Sequence, residues 1–422
     1  MKRYESYKPS GISWIGEIPS HWEQSTLRKF LTLFSEKGHG DKQLLSVTRE
    51  FGVIVRNTED KDENHNYIPD DLNGYKLVKQ GQLVVNKMKS WQGSYGVSDY
   101  EGIVSPAYYV CDLNFQYKPF FSFAIRSKAY IPFFSQMSKG IRVDQWDLST
   151  YALKSIPFIF PPLEEQKKIV EYLSTKTSLI DAQQGAREKE IRLLEELKQA
   201  EIANVVTRGL NPDVPMKDSG IPWIGKIPSH WETPFLFQFC NEHFISNKNV
   251  HHQNLLSLSY GKIIRKDINK TDGLLPKSFD TYQIVEPGNI ILRLTDLQND
   301  QKSLRVGLAK EEGIITSAYV ALEVKDKALP EYLYLILHTY DIKKVFYSMG
   351  GGLRQSLNFD GLRKLNIPIP PLEEQRAIVE YIEQKNKAID DMIANLRAEI
   401  DFLTEYKQRL IADAVTGQIK ID

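Results

Sequence analysis

Several histidines and a glycine run have the residue types of catalytic or metal sites, but their spacing completes no such site. His21 and His230 each stand beside a Trp with no further ligand at metal-binding spacing, which favours a structural role. The adjacent pair His251-His252 diverges in direction, so it does not predict a metal site. The run 349–352 matches neither a dinucleotide fingerprint nor a P-loop and predicts a backbone turn. We therefore expect no catalytic and no metal-binding residues.

The cysteines and the absence of a methyl-transfer motif also predict a chain without catalytic residues. Cys111 and Cys240 are far apart and lack metal-ligand spacing, which is typical of two buried thiols in a reducing compartment. The sequence contains neither Asn-Pro-Pro-Tyr nor Asp-Pro-Pro-Tyr, the motifs of amino-methyltransferases. We predict that the chain is not an enzyme and binds no cofactor itself.

Polar loops instead carry residues suited to nucleic-acid recognition. Lys and Arg can neutralise phosphates or pair with guanine, whereas Asn and Gln can pair with adenine. Each such residue alone is as easily an ordinary solvated side chain, but recurrence at matching places in two halves of the chain favours DNA binding. The predicted DNA-binding residues are Lys87, Lys89, Trp91, Gln92, Tyr95, Arg142, Arg293, Thr295, Gln298, Asn299, Arg305 and Arg354.

Composition is compatible with this interpretation. Among 422 residues, 41% are hydrophobic and 26% charged, enough for several folded domains. Lys plus Arg and Asp plus Glu both total 54, which argues weakly against a protein coated in positive charge but not against local basic grooves. The first residues lack the apolar run of a signal peptide, and no stretch approaches the roughly 18 apolar residues of a membrane span. A soluble, cytoplasmic protein is expected.

A tandem repeat must position these loops. Residues 11–23 return almost unchanged as residues 220–232, and residues 161–166 return as residues 370–375, each 209 positions later. The segments between them are less alike but share β-branched and aromatic runs bounded by glycine, which predict strands and turns. A repeated frame with different loops suits a protein that binds two related but non-identical targets; drift after duplication is the alternative.

Each half is expected to close with a long helix. Apolar residues recur every seven positions in the second helix, which predicts a coiled coil, and the two helices are expected to pair antiparallel. In the first helix Gln184, Gly185 and Arg187 interrupt this pattern, so a bend or a polar gap is expected there. The predicted seam consists of Leu173, Ile180, Ile191, Leu194, Ile382, Ile389, Ile393, Leu396, Ile400, Leu403 and Leu410.

The repeated Trp-Ile-Gly-x-Ile-Pro-Ser-His-Trp-Glu and Pro-Pro-Leu-Glu-Glu-Gln segments resemble the specificity subunit of type I restriction-modification systems. The resemblance covers essentially the whole chain. It implies two target recognition domains, each reading one half of a bipartite DNA site, and two helical spacers that dock two methyltransferase subunits. Nuclease-translocase subunits can add to that complex. S-adenosylmethionine is implied on the methyltransferase, and N6-methyladenine as the product.

The expected fold class is α+β, with two α/β target recognition domains and two long helices that form an antiparallel coiled coil. The predicted boundaries are 1–160 and 209–369 for the recognition domains, and 161–208 and 370–422 for the spacers. Two other functional classes compete with this one. A fused enzyme is disfavoured by the missing catalytic motifs, and a scaffold that binds only proteins is disfavoured by the basic and polar loops.

Overall fold

Two series of short strands, each followed by one long helix, repeat along the chain. The structure, a computed structural model, describes residues 2–57, 68–140, 146–249, 252–268, 278–297, 304–349 and 356–421. It contains two units, here called unit 1 (Met1–Arg187 with Arg397–Asp422) and unit 2 (Glu188–Leu396). Both divisions fall inside the long helices, so each unit contains part of both predicted spacers.

Unit 1 is built from short antiparallel strands around three short helices and the start of a long one. Its strands are β1 (Tyr7–Ile12), β2 (Gly16–Pro19), β3 (Glu23–Thr26), β4 (Leu31–Phe34), β5 (Leu45–Thr48), β6 (Gly52–Val55), β7 (Lys76–Val78), β8 (Leu83–Val85), β9 (Tyr95–Val97), β10 (Gly102–Val104), β11 (Tyr109–Leu113), β12 (Ser138–Lys139), β13 (Asp147–Leu148) and β14 (Pro157–Phe160). Its helices are α1 (Lys118–Arg126), α2 (Ile131–Met137), α3 (Thr150–Ser155) and the first part of α4 (Leu163–Arg208).

Unit 2 has a similar succession of short strands followed by helices, with some differences in the short elements. Its strands are β15 (Met216–Asp218), β16 (Lys226–Pro228), β17 (Cys240–His243), β18 (Ile245–Ser246), β19 (Leu256–Ser259), β20 (Lys262–Arg265), β21 (Gln283–Val285), β22 (Ile290–Leu292), β23 (Val306–Leu308), β24 (Gly313–Ile315) and β25 (Val320–Val324). Its helices are α5 (Pro330–Ile342), α6 (Phe359–Leu362) and the first part of α7 (Leu372–Val415). The end of α4 also belongs to unit 2, and the end of α7 belongs to unit 1.

The main sheet has the same strand order in both units. It runs β4-β11-β8-β9 in unit 1 and β17-β25-β22-β23 in unit 2, with every neighbour antiparallel. The central strands β8 and β22 are buried at all three positions, since side chains on both faces join hydrophobic clusters. This explains their unbroken apolar sequences, because a strand covered on both faces shows no polar alternation. The predicted fold class is confirmed.

The hydrophobic core of each unit continues into a pair of helix segments. In unit 1, Leu173 of α4 and Leu410 of α7 belong to the cluster that fills the recognition domain. In unit 2, Ile202 of α4 and Ile382 of α7 belong to the corresponding cluster. Of the predicted seam, Leu173, Ile180, Ile382, Ile389, Ile393 and Leu410 are buried, and Ile191, Leu194, Leu396, Ile400 and Leu403 are partly exposed.

Polar contacts show that the paired segments are antiparallel within each unit. In unit 1, Lys407 Nζ lies 2.5 Å from Asp181 Oδ1, and one turn further along α4 the amide of Gln184 donates to Thr404 Oγ1 at 2.7 Å. In unit 2, Lys198 Nζ lies 2.6 Å from Asp390 Oδ1, and later in α4 Glu201 Oε1 accepts from the Tyr381 hydroxyl at 2.7 Å. In both units, later residues of α4 therefore contact earlier residues of α7.

Gln184 and Arg187, in the polar middle of α4, form hydrogen bonds and an ion pair with residues of α7. The Gln184 amide also donates to the backbone oxygen of Ile400 at 3.2 Å, and Arg187 Nε lies 2.9 Å from Glu399 Oε2. The helix is continuous from Leu163 to Arg208. The expected polar gap is therefore observed, and side-chain partners on α7 fill it. The expected bend stays a prediction.

Leu173→Ala should destabilise the chain strongly, because Leu173 is fully buried where α4 joins the unit 1 core. We expect a loss of about 3 kcal/mol in the free energy of unfolding from lost burial and the cavity left behind. Leu179→Ala on the same helix is the matched control, since Leu179 is 61% exposed and should change stability by less than about 0.5 kcal/mol. Urea unfolding measures both variants, and equal losses would contradict the burial of Leu173 in the unit 1 core.

His338 on α5 gives unit 2 a pH-dependent stability. Its Nε2 donates to Gln199 Oε1 of α4 at 3.1 Å, while its Nδ1 is buried without a hydrogen-bond partner among the described residues. Burial lowers the pKa of His338 from 6.5 to about 4, because the charged imidazole would lose its hydration. The folded chain therefore stays unprotonated at His338 in a range where the unfolded chain binds a proton.

Stability should consequently fall as the pH drops from 6.5 towards 4. At pH 5 we expect His338 to reduce the free energy of unfolding by about 2 kcal/mol relative to its value at pH 7.5. The measurement is urea unfolding of the full chain and of His338→Gln at both pH values. Between pH 7.5 and pH 5, the free energy of unfolding of the variant should fall by about 2 kcal/mol less than that of the original chain. An identical fall in both proteins would show that other groups cause the acid sensitivity.

Candidate nucleic-acid interface

The connection between β8 and β9, residues 86–94, is called recognition loop 1. Lys89 is exposed, and no acidic partner for it occurs among the described residues. Lys87 is only partly exposed, and its Nζ lies 3.3 Å from Asp147 Oδ1. Lys89 therefore presents a cation ready for a phosphate, whereas Lys87 must first exchange its carboxylate partner.

The two other polar positions of recognition loop 1 differ in what they can offer. Gln92 is partly exposed and can present its amide to a base or a sugar. Trp91 packs on Trp146 with 5.0 Å between ring centroids, and its buried indole N–H has no acceptor among the described residues. Trp91 therefore supports the loop through its contact with Trp146.

Tyr95 does not belong to a DNA-contacting surface, and the prediction for it was wrong. Its side chain is 1% exposed and stacks on Phe134 with ring centroids 3.7 Å apart. Tyr95 opens β9, where the sheet alternation directs its ring into the core. The sequence pattern of aromatics beside cations could not distinguish a loop residue from the first residue of the next strand.

Arg126, at the end of α1, is the residue that holds recognition loop 1 in place, and sequence reasoning missed it. Its guanidinium donates to the backbone oxygens of Gly93 and Tyr95, both at 2.9 Å. It also donates to the oxygens of Arg49 and Glu50, at 3.0 and 2.7 Å, in the turn between β5 and β6. One side chain thus joins the loop to the neighbouring turn.

The connection between β22 and β23, residues 293–305, is called recognition loop 2. Its last residue, Arg305, is fully buried, so the prediction that it contacts DNA was wrong. The Arg305 guanidinium donates to the backbone oxygens of Arg293 at 3.1 Å and Thr295 at 2.8 Å, and to Asp296 at 3.2 Å. Arg305 therefore holds the loop from within, as Arg126 does in unit 1.

Arg293 and Thr295 remain candidates in recognition loop 2, since both are partly exposed and their backbones are fixed by Arg305. Four predicted residues lie outside the described residues, and so does His251. Those four are Arg142, Gln298, Asn299 and Arg354. Their predicted role in DNA binding stays a prediction.

The repeated motifs meet at the start of each long helix. In unit 1, Glu165 of α4 accepts hydrogen bonds from Trp22 Nε1 at 3.0 Å and from the Tyr4 hydroxyl, and His21 Nε2 lies 2.8 Å from the same carboxylate. Burial and the carboxylate together raise the pKa of Tyr4, so its hydroxyl stays a donor. This arrangement is called the carboxylate anchor of unit 1.

Unit 2 repeats the carboxylate anchor with the equivalent residues. Glu374 of α7 accepts from Trp231 Nε1 at 3.0 Å, and His230 Nε2 lies 2.8 Å from it. The two histidines are thus structural partners of a carboxylate, as expected. The sequence could have predicted this contact, because the segment with the histidine and the segment with the glutamate both recur nearly unchanged at the same spacing.

The remaining chemistry-bearing groups form no further site in the part of the chain that the structure describes. No group of three His, Cys, Asp or Glu side chains there could hold a metal ion. Cys111 and Cys240 are buried, and burial raises the pKa of each thiol to about 12. No helix among the described residues is both long and apolar enough to cross a membrane.

Glu165→Ala should loosen the junction between the recognition domain and α4. It leaves the buried Trp22 N–H without an acceptor, so we expect a loss of about 2 kcal/mol in the free energy of unfolding. Glu164→Ala is the control, because Glu164 lies in the same helical turn and its side chain is 80% exposed. Equal urea midpoints for the two variants would show that the anchor contributes nothing to stability.

Known proteins share this architecture. The family model of the type I restriction modification DNA specificity domain matches residues 19–193 and 233–401. A Methanocaldococcus jannaschii protein named as a candidate MjaX type I restriction enzyme specificity subunit is 25% identical over 435 residues, which cover 96% of each chain. The type I restriction enzyme MjaVIII specificity subunit of that organism is 26% identical over 306 residues, 68% of each chain.

A solved structure from work on complex assembly and conformational transition of the type I R-M system has a similar fold. Its TM-score is 0.64 at 17% sequence identity, and the match covers 95% of this chain and 99% of that chain. The two family matches together span most of the 422 residues, one in each half of the duplication. The chain therefore belongs to the family of type I restriction-modification DNA specificity subunits.

Proposed function

We propose that this specificity subunit reads a bipartite, asymmetric DNA site, one half with each recognition domain, and docks methyltransferase subunits on its long helices. The observation that carries this proposal is one frame repeated with two different loops. Strand order and the carboxylate anchor recur in both units, whereas recognition loop 1 spans 86–94 and recognition loop 2 spans 293–305. Similar frames with different loops would bind the same kind of target and read different sequences.

The chemistry of the loops supports DNA as the target. Exposed Lys89 and the partly exposed Arg293 can neutralise phosphates, while Gln92 and Thr295 offer hydrogen bonds to base edges. Both loops are held by an arginine below them, so they present these groups at little further loss of conformational entropy.

Apolar side chains on the outside of the helix pairs support the docking of partner proteins. Phe402 is 71% exposed and Leu179 is 61% exposed in unit 1, and in unit 2 Leu193, Leu197 and Met392 are each more than half exposed. Water-exposed apolar residues of this size on helices mark protein interaction surfaces when they cluster. These faces would receive the methyltransferase subunits, to which nuclease-translocase subunits add.

Methyl transfer itself is assigned to the partner. S-adenosylmethionine would bind the methyltransferase subunit, and the specificity subunit would contribute recognition and positioning alone. The purified chain should therefore incorporate no labelled methyl groups into DNA, while addition of methyltransferase should restore incorporation. A fused enzyme would methylate without a partner, and a scaffold that binds only proteins would give a complex with no sequence preference.

A domain exchange tests the assignment of one half-site to each domain. Residues 24–160 are replaced by the same region of a relative, and residues 233–369 are replaced in the matched control. Because the repeated segments at the junctions are kept, both carboxylate anchors can re-form. Methylome sequencing should show that the first exchange alters one half of the methylated site and the control alters the other, with the spacing unchanged.

The exchange experiment can contradict the proposal in two ways. If either single exchange rewrote both half-sites, the recognition domains would not act separately. If neither exchange altered the methylated sequence, recognition would lie outside the exchanged residues.

A further inference from the structure

Each unit exposes one large aromatic side chain at the tip of its second hairpin. Phe51, between β5 and β6, is 74% exposed, and Tyr260, between β19 and β20, is 82% exposed. Most of the surface of each side chain is therefore in contact with water and not with the protein. Because an exposed ring gains little from burial, these two rings on equivalent hairpins contribute little to folding and are accessible to a ligand.

The backbone at Tyr260 strengthens this point. Tyr260 and Gly261 have φ values of 45° and 75° and connect the paired residues Ser259 and Lys262. Two consecutive positive φ values are the mark of a type I′ turn, in which Asn-Gly is strongly preferred. A bulky residue at positive φ is uncommon and strained, so this turn holds Tyr260 where Asn would fit better.

The tip of the unit 1 hairpin presents its aromatic residue through a different turn. The Thr48 hydroxyl accepts a hydrogen bond from the backbone N–H of Phe51 at 3.0 Å, and Gly52 has a φ of 71°. The two units thus reach the same result, an outward aromatic ring on a fixed turn, by turns of different length. Because two different turns both present an exposed aromatic ring, we infer that the ring has a function at this place in each unit.

Both tips are held directly beside the recognition loops. In unit 1, Arg126 binds the carbonyls of the tip and of recognition loop 1 together. A Cβ added to Gly96 of β9 would lie 3.3 Å from Gly52 Cα, so the hairpin rests on the sheet at a glycine. The side chain of Arg49 approaches Gly93, since a Cβ there would lie 3.8 Å from Arg49 Cγ.

Unit 2 repeats this placement. A Cβ added to Gly307 of β23 would lie 2.7 Å from Leu258 Cδ1 and 2.9 Å from Ile263 Cδ1, so the hairpin again rests on a glycine of the sheet. At the tip, a Cβ on Gly261 would lie 3.2 Å from Leu304 Cβ, next to the end of recognition loop 2. The hydroxyl of Tyr334 donates to the Gly261 oxygen at 3.4 Å from below.

We propose that Phe51 and Tyr260 are DNA-contacting wedges that press against or between base pairs, one beside each half-site. This inference rests on the proposed function. Apolar and aromatic side chains inserted at base steps unstack them partially, and rings stack on exposed bases of any sequence. Such local opening would ease the extrusion of the target adenine into the methyltransferase pocket.

Charge beside the tips favours DNA over a protein partner. The Arg49 side chain is 66% exposed next to Phe51, and its guanidinium lies 3.3 Å from the exposed carboxylate of its neighbour Glu50. Exposed Lys262 directly follows the Tyr260-Gly261 turn. An aromatic ring beside an exposed cation suits a base next to a phosphate, and the recognition loop of the same unit lies beside each ring.

The test uses the full chain assembled with its methyltransferase and a duplex carrying the site found by methylome sequencing. 2-Aminopurine is placed at base steps of each half-site other than the methylated adenine, and its fluorescence reports unstacking. Tyr260→Asn should weaken binding about 10-fold and abolish the fluorescence rise in one half-site, and Phe51→Ala should do so in the other. Tyr260→Asn keeps a residue preferred in a type I′ turn, so stability should not fall.

Phe244→Ala is the matched control, because Phe244 is 60% exposed in unit 2 but belongs to a different connection, between β17 and β18. Its binding and fluorescence should equal those of the original complex. If both tip variants behave like this control while the original complex still prefers its site, the wedge is refuted and the proposed function stands. If the tip variants lose the methyltransferase instead, the tips dock protein and the wedge is refuted. An original complex without site preference would refute the proposed function itself.

Discussion

The hydrogen bonds to one carboxylate in the first turn of each long helix join the recognition frame to the spacer. Glu165 and Glu374 each accept from an indole N–H that is buried with its ring, and each lies within 2.8 Å of a histidine. A buried indole N–H without an acceptor is costly, so the contact fixes where the helix leaves the domain. The helix end is fixed too, since Gly417 and Gly209 pack on the rings of Trp22 and Trp231 within their own units.

Loop support in the two units follows one physical principle with different residues. Unit 1 uses Arg126 from helix α1, and unit 2 uses Arg305 from the loop itself, to bind several backbone oxygens at once. A guanidinium offers five donors in a planar fork, which suits a cluster of carbonyls that no strand or helix satisfies. The loops can therefore change in length and sequence while their backbones stay hydrogen-bonded.

The helix pairs combine apolar and polar contacts for different purposes. Buried Leu173 and Leu410 continue the domain core of unit 1, so the spacer is part of the fold and not an attached rod. The hydrogen bonds of Gln184 set which residues of α7 it faces, because a buried or half-buried amide satisfies its donors in only one register. Exposed apolar residues such as Phe402 and Leu179 do not contribute to this packing, and under the proposed function they would contact partner subunits.

The sequence alone determined the duplication, the fold class and the long helices, because hydrophobic periodicity and near-exact repetition can be read without coordinates. It only favoured antiparallel pairing of the helices, and the contacts between α4 and α7 inside each unit show that direction. It also indicated which loops face outward, but not which side chains in them do. Tyr95 and Arg305 carry the right chemistry yet lie in the core, and Phe51, Tyr260 and Arg126 gave no signal in the pattern. Whether an aromatic or arginine points to solvent or to the interior depends on strand register and on carbonyls distant in sequence, and only the tertiary structure brings those together.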